Sequence, residues 1–218
     1  MKPFRPAITG TRHMISAGHH GAAHAGFCVL EGGGNAVDAG VAAGIALSVL
    51  QADIVNFAGV APIMLWLADR REVITIDGLG VWPRAARLEV YHEKYGGRMP
   101  PGLLRTVVPA APDAWITVLE KYGTMSFGDV AQAAIRFARD GFPMHSLMAD
   151  YITENQEAYR RWPANAAVYL PGGKPPAVND VFVQADLGRT LQYMADEERS
   201  HAARGRAAGL DAARAAFY

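Results

Sequence analysis

The residues with the clearest binding chemistry lie in segment 77–84, which reads Asp-Gly-Leu-Gly-Val-Trp-Pro-Arg. Trp82 offers an aromatic face, and Arg84 offers a planar cation that can hold a carboxylate through two hydrogen bonds. The glycines on either side of Leu79 permit an unusual backbone path. Because loops at strand ends commonly carry ligands, the segment predicts a substrate-binding loop lined by Leu79, Trp82 and Arg84. A rigid loop with a buried Trp and a solvated Arg is an equally good interpretation.

Metal binding is a second chemistry to weigh, because four of the seven histidines fall early in the chain. His20 and His24 are spaced i, i+4, so a helix would place both on one face, as metal ligands require. No Glu stands between them as in His-Glu-x-x-His, and no third ligand is evident. We therefore expect helix capping or hydrogen bonding in the core for these histidines, and neither a metal nor a cofactor.

A nucleophile is hard to find in these 218 residues. No Gly-x-Ser-x-Gly elbow is present, and Ser126 is best explained as a helix cap. The one cysteine, Cys28, lies in an apolar stretch, and we interpret it as a buried helix residue because no activating environment is visible. We therefore predict no catalytic residue within the chain.

Composition narrows the class of protein. Lys+Arg and Asp+Glu balance at 21 each, which argues against nucleic acid or an anionic membrane as a partner. Half of the residues are hydrophobic, enough for a sizeable core. The N-terminus lacks the apolar region of a signal peptide, and one cysteine fits a reducing compartment, so we expect a cytoplasmic protein. No repeat or linker divides the chain, which predicts one domain, or part of one, over residues 1–218.

The elements that must position these residues can be predicted from the chain pattern. The glycine run 32–34 forms a turn, Asn35 caps a helix through about residue 50, and Asp38 suits the positive end of that helix. Small apolar residues predict that this helix is buried on most sides. The other predicted elements are a strand at 14–17, a helix at 21–31, a hairpin of strands 63–67 and 72–76, a long loop at 77–102, helices at 112–123, 127–139 and 143–161, a loop at 162–179, a helix from Asp186 to about 198, and a helical tail.

Segment 32–43, Gly-Gly-Gly-Asn-Ala-Val-Asp-Ala-Gly-Val-Ala-Ala, closely resembles the Gly-Gly-Asn-Ala-Val-Asp-Ala signature of the gamma-glutamyltransferase family. Further segments resemble the same family in the same order, so the resemblance covers nearly the whole chain. These segments are residues 16–19, 106–112, 138–143, 169–173, 184–187 and 216–218.

The resemblance implies an α/β (α+β) fold, as part of the four-layer αββα sandwich of N-terminal-nucleophile hydrolases. Family precursors cut themselves, and the new N-terminal Thr of the small subunit acts as nucleophile and base in amide hydrolysis or acyl transfer. That Thr lies outside these 218 residues. We therefore expect the N-terminal part of a large subunit, inactive alone and partnered by the small subunit. A non-catalytic assembly subunit and an inactive truncated fragment are the alternatives.

Two departures from the family pattern concern the substrate. Family members carry an Arg in Asp-x-Arg-Glu-x-x-Pro that binds the substrate's alpha-carboxylate, and Leu79 stands at that position here. The family's Gly-Ile-Gly-Gly-Gly segment is altered at 57–62. Losing a bidentate cation weakens carboxylate recognition, which argues against glutathione. The expected substrate is a small-molecule amide or gamma-glutamyl compound, and the use of glutathione stays open. The resemblance then points toward the branch that includes oxamate amidohydrolase.

Overall fold

Helix α2 (Ala36–Leu50) is the centre of the computed structural model, which describes residues 7–218. Ten of its fifteen residues are buried, as its small and apolar sequence predicts. Three further helices pack against it: α1 (His20–Glu31), α4 (Ala111–Tyr122) and α5 (Phe127–Asp140). The prediction of a central buried helix after the glycine run is confirmed.

Capping boxes begin both α2 and α5. At α2 the Asn35 side chain accepts from the backbone, and the Asp38 carboxylate accepts from the Asn35 backbone N–H. At α5 Ser126 and Asp129 make the same reciprocal pair. Each pair satisfies amide groups that would otherwise lack a partner at a helix start. The predicted caps at Asn35 and Ser126 are therefore confirmed.

Two C-terminal helices complete the helical body, α9 (Ala185–His201) and α10 (Arg206–Phe217). Helix α9 packs on α5, and α10 packs on both α9 and α4. The helix predicted from Asp186 begins one residue earlier, at Ala185, and Gln184 is its N-cap. Asp186 lies in the first turn, where it pairs with Arg189.

Two small antiparallel sheets accompany the helices. Strands β1 (Ile63–Leu67) and β2 (Glu72–Ile76) form the predicted hairpin, with Ile63 opposite Ile76. The second sheet pairs β3 (Phe142–Pro143) with β4 (Val181–Phe182). The predicted strand at 14–17 is absent, because this extended stretch has no neighbouring strand among residues 7–218. The mixture of helices and small sheets agrees with the expected α+β class.

The remaining differences from prediction are helices in segments rich in Gly and Pro. Helix α3 (Leu88–Tyr95) lies inside the predicted loop 77–102, and α8 (Pro163–Tyr169) lies inside the predicted loop 162–179. The single helix predicted over 143–161 is two helices, α6 (Ser146–Glu154) and α7 (Gln156–Arg160). They are separated at Asn155, whose side chain donates to the Tyr151 carbonyl and so competes with the helix ladder. Within residues 7–218, each helix is too short or too polar to cross a bilayer.

Candidate functional site

Three loops meet beside the N-terminus of α4, and we call this region the three-loop junction. It comprises residues 56–62, 77–83 and 106–111. The Ala61 N–H donates to the Gly78 carbonyl at 2.8 Å, and the Val108 N–H donates to the Val81 carbonyl at 2.9 Å. The loop that leaves the hairpin is therefore held on both sides by backbone hydrogen bonds, which give it a defined path.

The Gly59 carbonyl joins this junction to α4. It accepts from the N–H groups of Ala110 and Ala111, both at 3.0 Å. Amides at a helix start lack partners within the helix, and no side chain of the described residues 7–218 caps this one. Loop 56–62 thus supplies the missing acceptor, and the start of α4 fixes the loop in return.

Glycine is required at two positions of the middle loop. Gly78 and Gly80 have φ values of +56° and +77°, a region that favours glycine. A Cβ atom at Gly78 would lie 2.1 Å from the Ala61 carbonyl oxygen, and one at Gly80 would lie 2.4 Å from the Val108 carbonyl oxygen. The unusual backbone path expected around Leu79 is confirmed, and the close approach of neighbouring backbone explains it.

The three predicted substrate-binding residues are all exposed on this loop. Leu79 is 52% exposed and Trp82 is 44% exposed, so the interpretation with a fully buried Trp is wrong. Arg84 is also exposed, and within residues 7–218 its guanidinium has no ion-pair partner. No hydrogen bond between described residues joins the three side chains. The loop therefore presents an apolar and aromatic surface with a free cation at its end.

Trp82 is oriented by α3, a helix within the predicted loop 77–102. Its ring meets Tyr91 of α3 edge-on, with ring centroids 5.9 Å apart. Tyr91 is buried, and its hydroxyl donates to the Leu104 carbonyl at 2.7 Å. The sequence signal for α3 is the i, i+3, i+7 spacing of Leu88, Tyr91 and Tyr95, followed by a glycine at position 96. Gly96 adopts the left-handed conformation that commonly ends a helix.

An open cavity of about 650 Å³ adjoins the junction. Val81, Pro109 and Tyr218 line it. The Tyr218 hydroxyl donates to the Pro109 carbonyl at 2.7 Å. Arg214 also lines the cavity, with its guanidinium bound to Asp113 at 2.7 Å and to further carboxylates of α4 and α10. Because this cation is already neutralised, the cavity is not suited to a second anion.

Asp38 is the buried anchor of the glycine-run motif, a role beyond the predicted cap. It is fully buried and accepts from the Thr124 N–H at 2.9 Å, the Thr124 hydroxyl at 2.7 Å and the Met125 N–H at 3.1 Å. Burial opposes ionisation, but the hydrogen bonds from Thr124, Asn35 and Met125 outweigh it and hold the pKa of Asp38 below its ordinary value. The motif therefore ties α2 to the connection between α4 and α5.

One of the early histidines caps a helix. His19 is the N-cap of α1, and its Nδ1 accepts from the Gly21 N–H at 3.0 Å. Burial lowers the pKa of His19 to about 4, with further lowering by the charges of His20 and His145. Among residues 7–218, no group of three His, Cys, Asp or Glu side chains is arranged to hold a metal ion.

Cys28 is exposed, so the prediction of a buried thiol is wrong. Helix α1 packs through Ala22, Ala25 and Gly26, which occupy one face. Position 28 is two residues beyond Gly26 and so falls on a different face. Its Sγ lies 3.5 Å from His24 Nε2, one helical turn earlier.

Comparison with known proteins identifies the family. The sequence profile described as Gamma-glutamyltranspeptidase matches residues 22–213. The Acylase ACY 1 proenzyme of Pseudomonas sp. (strain SE83) is 34% identical over 203 residues, which cover 88% of this chain and 36% of the acylase. The Oxamate amidohydrolase proenzyme of Klebsiella pneumoniae is 27% identical over 86% of this chain and 36% of its own length. This chain therefore belongs to the gamma-glutamyltranspeptidase family.

Solved structures agree with this assignment. The Helicobacter pylori gamma-Glutamyltranspeptidase superposes with a TM-score of 0.81 at 28% identity, over 87% of this chain and 55% of that one. The structure LmbA2991HD superposes with a TM-score of 0.89 at 32% identity, over 100% of this chain and 37% of that one. The chain has the fold of N-terminal-nucleophile hydrolases of this family. It spans about a third of the length of the curated relatives it matches.

Proposed function

We propose that this chain is the N-terminal part of the large subunit of an amidohydrolase or acyltransferase with an N-terminal Thr nucleophile. The three-loop junction carries the proposal, because it brings together three segments that match family loops in position. Segment 106–112 resembles the family sequence, and segments 57–62 and 77–83 depart from it. The proenzyme relatives support cleavage of a precursor into two subunits. In this proposal the Thr belongs to the partner small subunit.

The proposed reaction is acyl transfer through an ester of that Thr. The Thr hydroxyl oxygen attacks the amide carbonyl while the Thr amine takes its proton, and the amine of the substrate then leaves with a proton. Water, or a second amine, attacks the acyl-Thr ester and frees the nucleophile. The part played by this chain is to bind and orient the acyl group, with Leu79, Trp82 and Arg84 as the binding residues.

The chemistry of the loop favours a substrate whose acyl group carries no carboxylate at the position of Leu79. Leu79 and Trp82 present apolar and aromatic surface there, and Arg84 lies five residues farther along the chain. The name of the oxamate amidohydrolase relative supports a small amide as the substrate. The unpaired Arg84 guanidinium favours a gamma-glutamyl compound as the second candidate.

Intact mass spectrometry with N-terminal sequencing of everything that co-purifies with the native protein tests the subunit proposal. We expect a second polypeptide that begins with Thr. Recovery of this chain alone would refute the proposal in favour of a truncated fragment. A second polypeptide that does not begin with Thr would favour a non-catalytic assembly subunit.

Kinetics of the complete enzyme test the substrate. With a gamma-glutamyl anilide, Leu79→Arg should raise kcat/KM about tenfold or more, because a charge-assisted pair stabilises by about 1.5–3 kcal/mol. Arg84→Ala should lower it only if Arg84 binds the carboxylate. Arg87→Ala is the matched control, since Arg87 is an exposed arginine that pairs with Glu89. Unchanged kinetics in both Leu79→Arg and Arg84→Ala would remove the loop from the substrate pocket.

A further inference from the structure

Trp82 lies in a stretch of backbone that is fixed on both sides. The Val81 carbonyl accepts from the Val108 N–H at 2.9 Å, and the Pro83 carbonyl accepts from the Ala86 N–H at 2.8 Å. The proline ring also restricts its own φ, so little backbone freedom is left around position 82. The direction of the Trp82 ring therefore depends on its side-chain torsions and on the groups that the ring touches.

Tyr91 is the aromatic side chain, among residues 7–218, that meets the Trp82 ring. The two ring planes are at 89° with centroids 5.9 Å apart, an edge-to-face arrangement that aromatic pairs favour. Trp82 remains exposed in spite of this contact. The contact therefore supports the indole ring and leaves part of its flat apolar surface open to a ligand.

Tyr91 is itself held at both ends. Its carbonyl accepts from the Gly97 N–H at 2.9 Å in the turn that ends α3, and its hydroxyl donates to the Leu104 carbonyl at 2.7 Å. The side chain between these two points is buried. A buried ring that is tied through its backbone and its hydroxyl is a rigid support for a neighbouring ring.

The acceptor of the Tyr91 hydroxyl is also fixed. Leu104 lies in the 3₁₀ turn Leu103–Arg105, which follows Gly102. The Trp162 side chain covers Gly102 so closely that a Cβ atom there would lie 2.9 Å from Trp162 Cζ2. Trp162 is the N-cap residue of α8. A continuous series of contacts therefore runs from the start of α8 to the hydroxyl of Tyr91.

We propose that Tyr91 is a positioning residue, which fixes the Trp82 ring as a flat wall of the pocket for the acyl group, and that the enzyme therefore prefers an aromatic acyl group. The inference rests on the proposed function, in which Trp82 and Leu79 bind the acyl group. Tyr91 acts through Trp82 and does not touch the substrate. An aromatic pair contributes about two- to tenfold in binding beyond the area that it buries.

Kinetics of the complete enzyme test the preference. The substrates are phenylacetyl p-nitroanilide and butyryl p-nitroanilide, and the readout is the ratio of their kcat/KM values. Trp82→Leu should lower this ratio about two- to tenfold, because the aromatic wall is lost. Tyr91→Met keeps an apolar side chain of adaptable shape and should lower the ratio by about the same factor.

A double variant separates positioning from a general structural effect. Because Tyr91 acts through Trp82, adding Tyr91→Met to Trp82→Leu should lower the ratio no further. Losses that multiply in the double variant would overturn the proposal. Tyr95→Met is the matched control, since it makes the same change one helical turn later on α3, at a side chain that is exposed.

Near-ultraviolet circular dichroism of the purified proteins gives a readout that does not depend on activity. Trp82→Leu removes the contribution of this ring to the tryptophan bands. Tyr91→Met should remove a similar intensity, because a ring without fixed packing contributes little to this spectrum. Tyr95→Met should leave the tryptophan bands unchanged. Unchanged bands in Tyr91→Met would show that Tyr91 does not hold the ring, and would overturn the proposal.

Tyr91→Phe keeps the ring and should keep most of the selectivity, so it remains informative if Tyr91→Met fails to fold. A ratio as low in Tyr91→Phe as in Trp82→Leu would contradict a role for the ring contact. Altered tryptophan bands with an unaltered ratio would put Trp82 outside the acyl pocket, which overturns the inference and leaves the proposed acyl transfer intact. A wild type that hydrolyses no amide would instead refute the proposed function, and the inference with it.

Discussion

Asp38 and Asp129 occupy the same position in two capping boxes, so replacing each with asparagine separates local capping from tertiary anchoring. Asp38 also accepts three hydrogen bonds from Thr124 and Met125, whereas Asp129 is exposed and, among residues 7–218, bonds only to its own box. The pair offers a matched comparison, because the chemical change is identical and only the tertiary contacts differ.

Asp38→Asn should cost about 3–5 kcal/mol of unfolding free energy, since about two charge-assisted bonds of 1.5–3 kcal/mol each are lost from a buried group. Asparagine has one acceptor oxygen, and its NH₂ group would face the donors of Thr124 and Met125. Asp129→Asn should cost about 1 kcal/mol or less, as expected for an exposed cap.

Urea denaturation of the purified protein at pH 7, followed by circular dichroism, measures both values. Equal slopes with denaturant are required, so that the change in midpoint reports stability alone. A cost for Asp38→Asn no larger than that for Asp129→Asn would refute the anchoring role.

The same measurement at several pH values checks the sign of the charge effect. The pKa of Asp38 is lowered on folding, so the folded protein binds fewer protons at this residue than the unfolded chain does. Its stabilisation is complete above the unfolded pKa of about 4 and declines as the pH falls through the folded value. The difference between the wild type and Asp38→Asn should therefore shrink below about pH 4. A difference that stays constant down to pH 2 would contradict this reasoning.

Three further outcomes are expected. Gly78→Ala should destabilise the protein by about 2 kcal/mol or more in the same urea assay, because the new Cβ would meet the Ala61 carbonyl. Gly96 has a similar φ of +59° and open space around it, so Gly96→Ala should cost only about 1 kcal/mol. Arg206→Lys should cost about 1–2 kcal/mol by thermal unfolding, because only the guanidinium donates at once to several carbonyls at the C-terminal end of α4. His19 has a folded pKa of about 4, below its ordinary 6.5, so the unfolded chain binds more protons and stability should decline as the pH falls from 6.5 to 4. His19→Asn keeps a capping side chain and should flatten that decline in pH-dependent denaturation.

Local signals in the chain predicted much of the helical frame. The glycine run, Asn35 and Asp38 predicted the start of α2, and two runs of β-branched and apolar residues around a short polar connection predicted the hairpin at its observed bounds. These elements depend on nearest-neighbour chemistry, namely capping, turn residues and periodicity. Helices α3 and α8 were missed because Pro and Gly around them outweighed short helical patterns.

The candidate site was predicted only in part. The glycine-flanked loop at a strand end was predicted, but the sequence left open whether Trp82 is buried, and the structure shows Leu79, Trp82 and Arg84 exposed. The contact of Trp82 with Tyr91 depends on α3, which follows the loop in the chain. The hydrogen bonds between loops 56–62 and 106–111 join residues about 50 apart in sequence, so no local pattern predicts them.

The sequence by itself determined the family, the central helix, its caps and the loop that lacks the family's arginine, because residue type and spacing encode each of these directly. The tertiary structure decided which groups meet. Asp38 became an anchor through Thr124, and Gln184 reached Val49 across the body of the protein. Cys28 was left exposed by the face through which α1 packs. Such outcomes depend on how distant elements pack, and that packing is a property of the whole described chain, beyond any local pattern.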